Sequence, residues 1–216
     1  SSDLQETLIR YRQAMSRKKQ RRFAELEHLP NVLDSNALPT GGNWVRTHFE
    51  TDKPLILELG CGKGEYTLAL ARSFPDANVI GVDRKGDRIW KGAKRALAES
   101  LDNVAFLRAR LEKLSDYFDP GQVQEIWMPY PDPLPKRRQA KHRILSPPFL
   151  ETYHKILQTD GIVHVKTDDV GLIENVMEAL SEYGRAVVKR LSLDLYAEEP
   201  SDELLRIETT YERRHL

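Results

Sequence analysis

Residues 55–66 read LILELGCGKGEY. The first five, bounded by Pro54 and Gly60, form a short and mostly apolar run that predicts a buried strand. GEYTLALARSF (64–74) then reads as a helix stopped by Pro75. Between them stand Gly60, Gly62 and Gly64, which permit a tight turn and close approach of a ligand to the backbone.

The same alternation continues outward. NVIGVD (78–83) predicts a strand and 86–100 a helix. VAFLRA (104–109) predicts a strand, 111–117 a short helix, and VQEIWM (123–128) a further strand. Ser146 caps a helix opened by Pro147 and running to about 158. IVHVKT (162–167) is expected as a strand and 170–183 as a helix. AVVKRLSLDL (186–195) and LLRIETTYE (204–212) have no helix between them, so they are expected to pair as an antiparallel hairpin. The pattern predicts an α/β fold, a doubly wound, mostly parallel seven-stranded sheet of Rossmann-like type. On the N-terminal side, residues 3–27 hold no Gly or Pro and read as a helical arm whose few apolar positions imply packing that is weak or only against a partner, and 30–54 read as a connecting segment. The expected domains are therefore residues 1–53, a basic helical arm and linker, and residues 54–216, the sheet domain.

The loop spacing is G-x-G-x-G, which is neither the dinucleotide pattern nor a P-loop. Glu58 just before it would repel a diphosphate and would suit a cationic, amine-bearing ligand. Asp83 ends the second predicted strand, 19 residues after Gly64, where a carboxylate can accept both ribose hydroxyls of an adenosine group. Together these residues argue for S-adenosylmethionine over NAD. Cys61 lies inside the loop without an identifiable base beside it.

The chain has 216 residues, 40% of them hydrophobic, and 33 basic residues against 33 acidic ones. The zero net charge conceals segregation. Residues 10–22 carry seven Lys or Arg and no acid, 136–143 carry five and no acid, and 194–208 carry six acids and one Arg. A single cysteine excludes an internal disulfide and a cysteine-built zinc site, and no metal is expected. No apolar run reaches the roughly 20 residues that span a membrane. No secretory signal is visible, so cytoplasm is the expected compartment.

Residues 128–143, MPYPDPLPKRRQAKHR, leave the fourth predicted strand through prolines at 129, 131, 133 and 135. Alternating prolines stiffen an extended backbone. In a doubly wound sheet this loop lies at the ligand crevice. It would hold Asp132 at the mouth, with Lys136, Arg137, Arg138, Lys141, His142 and Arg143 around the entrance, an arrangement suited to a polyanion such as nucleic acid.

ELGCGKGEY, GVD, PDPLPKRRQAKHR, HVKTDD and TTYE occur in that order. Together they resemble the bacterial tRNA (guanine-N7-)-methyltransferase family, over roughly residues 54–213. The glycine loop is shared by many methyltransferases, whereas the proline–aspartate–proline stretch with its basic run is much more specific. The resemblance implies S-adenosylmethionine as cofactor, tRNA as partner, and methyl transfer to guanine N7 in the variable loop. It implies that Glu58, the glycine loop and Asp83 contact the cofactor and that Asp132 lies where cofactor and guanine meet. Lys136, Asp168, Thr209, Thr210, Tyr211 and Glu212 match its substrate-binding positions. Arg138, Lys141, His142 and Arg143 fall in its RNA-contacting tract. A monomer or homodimer is expected.

Three positions depart from the family pattern. Arg110 stands where an aspartate, a plausible partner of the adenine amino group, is usual. Arginine cannot accept a hydrogen bond, so adenine would rely on backbone groups, stacking or Glu112. Leu134 replaces a Trp, which removes a stacking surface, and His142 replaces an Arg, which makes one phosphate contact pH-dependent. The basic arm at 10–22 reads either as a second RNA clamp or as a solvated helix or disordered tail. Two alternatives compete with the main reading: a methyltransferase acting on a small acidic substrate, and a catalytically weak RNA-binding module of the same fold.

Overall fold

The structure is a computed structural model and describes residues 17, 19–134, 140, 143–195, 197 and 203–215. Its strands are β1 (Val32–Asp34), β2 (Leu55–Leu59), β3 (Asn78–Asp83), β4 (Val104–Arg108), β5 (Val123–Pro129) and β6 (Leu157–Lys166). Its helices are α1 (Asn43–Phe49), α2 (Glu65–Ser73), α3 (Gly86–Ala98), α4 (Leu114–Tyr117), α5 (Pro147–Ile156), α6 (Val170–Tyr183) and α7 (Glu212–His215). The strands form one sheet in the order β1-β4-β3-β2-β5-β6, and each pairing is parallel. From β2 the chain steps outward through β3 to β4, then returns to the other side of β2 for β5 and β6. The direction of winding therefore reverses between β2 and β5, which opens the crevice beyond their carboxyl ends.

The period-two alternation of each central strand divides the core between two faces. Ile56, Val79, Phe106 and Trp127 point to one side and pack with Tyr66, Leu70 and Ile89 from α2 and α3. Leu57, Ile80, Leu107 and Ile126 point to the other and pack with Trp44, Leu114, Phe149 and Tyr153 from α1, α4 and α5. Both faces are covered, so β2 and β3 are buried along their whole length.

Beyond a start of β6 at Leu157, five residues before the expected 162, three segments differ from the sequence expectation. Residues 30–54, expected only to connect, supply β1 at the sheet edge and bury Trp44, whose indole Nε1 donates to the Tyr117 carbonyl at 2.7 Å. Three residues of strand amid turn formers give no readable period, and the partner of β1 lies far along the chain. The expected hairpin is corrected: among the described residues the sheet has six strands, and neither 186–195 nor 204–212 joins it. Val187 and Leu193 remain 85% and 81% exposed. Leu204 and Leu205 lie in a 3-10 turn, Glu203–Arg206. The third difference is in the arm, whose described residues 19–26 are helical and do pack. Leu26 is buried, and Phe23 and Leu26 fill the space that a side chain on Gly86 would need. Glu25 accepts from Trp90 Nε1 at 2.9 Å, and the Arg22 guanidinium lies 5.0 Å from the Trp90 ring centre.

Candidate active site

The turn after β2 is built from left-handed backbone: φ is +76° at Gly60, +55° at Gly62 and +73° at Gly64. L-residues adopt such angles only at a cost. Gly64 is constrained twice, because a Cβ there would lie 2.6 Å from the Phe106 ring and 3.1 Å from the Gly92 Cα. At Gly60 a Cβ would meet nothing within 4 Å, so the backbone at that point is open to a ligand.

Asp83, at the end of β3, accepts from the Gly62 amide at 3.0 Å through one oxygen and from the Lys85 amide at 2.8 Å through the other. A carboxylate has about four lone-pair sites, so two remain for the vicinal hydroxyls of a ribose. Glu58 lies beneath the loop, 2% exposed, and accepts a hydrogen bond from the Thr67 hydroxyl. Burial is the main cause that pushes its carboxyl up to about 8, and the nearby Asp83 and Glu65 carboxylates add to it. A positive charge above the loop would favour its ionised form. The Cys61 thiol is buried and pushed well up, chiefly by that burial, which makes it a poor nucleophile. These residues fit an adenosine group that carries a cationic chain. Arg110, two residues beyond β4, is exposed, and Glu112 near it is exposed as well.

On the other side of the crevice β5 ends at Pro129. Tyr130 follows in left-handed backbone, φ +52°, with its amide donating to the Lys166 carbonyl at 2.7 Å. Asp132 is exposed on the loop that leaves the sheet. Arg143 Nε donates to the Leu134 carbonyl at 3.2 Å, and its guanidinium bonds to Asn175 on α6. Lys136, Arg138, Lys141 and His142 lie outside the described residues.

The C-terminal segment folds back onto both halves of the site. Thr209 and Glu212 form a reciprocal cap: the Thr209 amide donates to the Glu212 carboxylate at 2.8 Å, and the Glu212 amide to the Thr209 hydroxyl at 3.2 Å. The Thr210 amide donates to Glu65, the first residue of α2, at 2.7 Å, and its hydroxyl bonds to the same carboxylate. Arg213 approaches Glu65 at 3.3 Å. Glu212 forms a buried ion pair with Lys166 at 2.5 Å, and the Tyr211 hydroxyl donates to Asp168 at 3.1 Å. The structure thus brings Asp168 and residues 209–212 together beside the glycine loop. Of the sequence-derived substrate residues, Glu212 is an internal anchor in this arrangement, whereas Tyr211 is exposed. Sequence reasoning missed Glu65, Lys166 and Tyr130. Only the T-x-x-E spacing of 209–212, a helix-start signature, could have pointed to how the segment closes.

A parallel sheet of this order, with a glycine turn after β2 and a carboxylate ending β3, is a methyltransferase fold. It matches the solved structure of the 16S rRNA methyltransferase KamB with a TM-score of 0.55 and 20% identity, over 78% of this chain and 85% of that one. The family model described as "Putative methyltransferase" matches residues 52–216. Among curated proteins the chain is similar to the tRNA (guanine-N(7)-)-methyltransferase of Christiangramia forsetii, with 43% identity covering 93% of both chains. It is 39% identical to the protein of the same name from Bacteroides thetaiotaomicron, over 94% of this chain and 82% of that one. The protein so named in an Exiguobacterium species is 38% identical over 80% and 78%. The chain belongs to the tRNA (guanine-N(7)-)-methyltransferase family.

Proposed function

We propose that this protein methylates N7 of a guanine in the variable loop of tRNA, with S-adenosylmethionine as the methyl donor. The observation that carries the reading is the crevice where the winding reverses. The glycine turn after β2 stands on one side, the Asp132 loop after β5 on the other, and the Thr209–Glu212 segment is tied to both Glu65 and Lys166. The family relationship supports the same chemistry.

When bound, S-adenosylmethionine supplies a methyl group: its S–C bond breaks with the electron pair going to sulfur as the N7 lone pair forms the new N–C bond, and no proton leaves. The protein's share is positioning and electrostatics. Glu58, Gly60, Gly62, Gly64 and Asp83 hold the donor, with Arg110 at the adenine edge. Asp132 stands at the meeting of donor and base. Asp132 and Asp168 accept from the N–H groups of the guanine and stabilise the positive charge that grows on it. Lys136, Thr209, Thr210, Tyr211 and Glu212 complete the base site, and Arg138, Lys141, His142 and Arg143 dock phosphates. Residues 54–216 carry the chemistry, and the basic arm within residues 1–53 acts as a second clamp on the RNA. The protein works in the cytoplasm, as a monomer or homodimer; among the described residues no helix is long and apolar enough to cross a membrane.

Incubation with unmodified tRNA and methyl-labelled donor, followed by nucleoside analysis, tests the reading. The label is expected in 7-methylguanosine. Label in another nucleoside, or none, would overturn it.

A further inference from the structure

N7 lies on the major-groove edge, and a base inside folded RNA must leave its stack before a donor can reach it. The site has to replace the stacking that the base gives up. Leu134 offers no aromatic face at the position where the family resemblance implies one. Trp127 and Tyr66 keep only 2% and 1% of their surface, so neither can receive a base.

Two tyrosines stand at the carboxyl end of β5 instead. The rings of Tyr130 and Tyr211 lie 5.0 Å apart at 34° to one another. Both are held before any base arrives. The Tyr130 backbone is fixed by its left-handed angle and by its bond to the Lys166 carbonyl, and the Tyr211 hydroxyl is fixed by Asp168. The Lys166 ammonium lies 5.5 Å from the Tyr130 ring centre, and Glu212 pairs with it. Tyr211 remains 43% exposed and Asp132 follows Tyr130 by two residues, so the rings border the mouth of the crevice. Pre-fixed rings lose little freedom on binding.

We propose that Tyr130 and Tyr211 form the platform on which the extruded guanine stacks, and that the platform holds the methylated, cationic base more tightly than the neutral one. This rests on the methyl-transfer reading and deepens it. An aromatic face attracts positive charge. Because the charge appears on the purine during transfer, the platform binds the transition state better than the ground state. Tyr130 is thereby assigned a substrate contact that the motif alone does not give it.

The test is calorimetric binding of guanosine and of 7-methylguanosine to the full chain with S-adenosylhomocysteine, at mildly acidic pH where the methylated base keeps its charge. Wild-type protein is expected to prefer 7-methylguanosine. Tyr130→Leu and Tyr211→Leu are expected to weaken 7-methylguanosine binding about 5- to 150-fold and to abolish the preference. Tyr130→Phe, which keeps the ring face, is expected to retain it. Tyr211→Leu changes an exposed side chain, so its result does not hinge on folding. Absence of the preference in wild-type protein, or its survival in both leucine variants, overturns the proposal. Binding is read without turnover, so failure of the platform is distinct from failure of methyl transfer on tRNA.

Discussion

The ammonium of Lys166 lies 2.5 Å from the carboxylate of Glu212, and the two side chains keep only 7% and 3% of their surface. The pair joins the end of β6 to the C-terminal segment beside the glycine loop. Removing one partner of a buried ion pair takes away the charge that offsets the other's desolvation, at a cost of roughly 3–5 kcal/mol, and the Ile207 carbonyl, 3.3 Å from the Lys166 ammonium, is no substitute for a carboxylate. Glu212→Gln is the informative change, because glutamine still serves the cap with Thr209. The segment is expected to open locally, with amide exchange at Thr209 and Thr210 faster by at least about a hundredfold. Exchange mass spectrometry reads this directly.

Gly60 and Gly64 separate two demands on one turn. Gly64→Ala adds a methyl group against Phe106 and Gly92 in left-handed backbone. Strain of about 1–2 kcal/mol and overpacking of about 1–3 kcal/mol together predict a loss of roughly 2–5 kcal/mol in denaturant unfolding. Gly60→Ala meets no neighbour and is expected to cost only the strain, about 1–2 kcal/mol, while weakening S-adenosylmethionine binding by intruding on its space.

Glu58 gives a pH signature. Its folded carboxyl titrates at about 8 against an ordinary 4.5, so between these values the folded state holds a proton that the unfolded state has lost. Stability of the ligand-free protein therefore falls as pH rises through that window. Melting temperatures of wild-type and Glu58→Gln protein across pH 5–9 should diverge accordingly, with the wild type losing more at high pH. A cationic ligand above the loop should favour ionisation and release a proton on binding, measurable by calorimetry in buffers of different ionisation heat.

The arm offers a test that spares its buried contacts and removes at the surface only the Arg21–Glu25 ion pair and the Lys19 contact with the Phe23 ring. Arg17, Lys19 and Arg21 are exposed, whereas Leu26 is buried and Glu25 holds Trp90. Replacing the three cations by glutamine should weaken tRNA binding and lower the slope of log affinity against log salt by about 0.7–0.9 for each phosphate that is no longer neutralised. An unchanged slope would remove the arm from the RNA interface.

The central sheet was legible because β2 and β3 are fully buried and sharply bounded. Pro54 and Gly60 frame Leu55–Leu59, and Asp83 closes Asn78–Asp83 at its predicted end. The glycine turn and Asp83 followed from local spacing alone. Other parts depend on partners that no local pattern contains. β1 exists through its pairing with β4, more than seventy residues on. The alternation at 186–195 looks like a strand, but alternation supplies no partner edge, and the segment runs exposed. The run 204–212 was expected as the second strand of a hairpin, while Thr209 and Glu212 stand three apart as a cap, and the cap prevails. The ties from Glu65 to Thr210 and from Lys166 to Glu212 join residues far apart in sequence, so only the fold reveals them.

The most direct test of the account is single-turnover methyl transfer to guanine N7 of unmodified tRNA by wild-type and Asp132→Ala protein, each saturated with donor. If Asp132 orients the base and stabilises its growing charge, loss of the carboxylate should slow the step by about a hundredfold or more, with donor binding retained. Near-normal turnover by Asp132→Ala would contradict the assignment of the methyl-transfer point to the loop after β5.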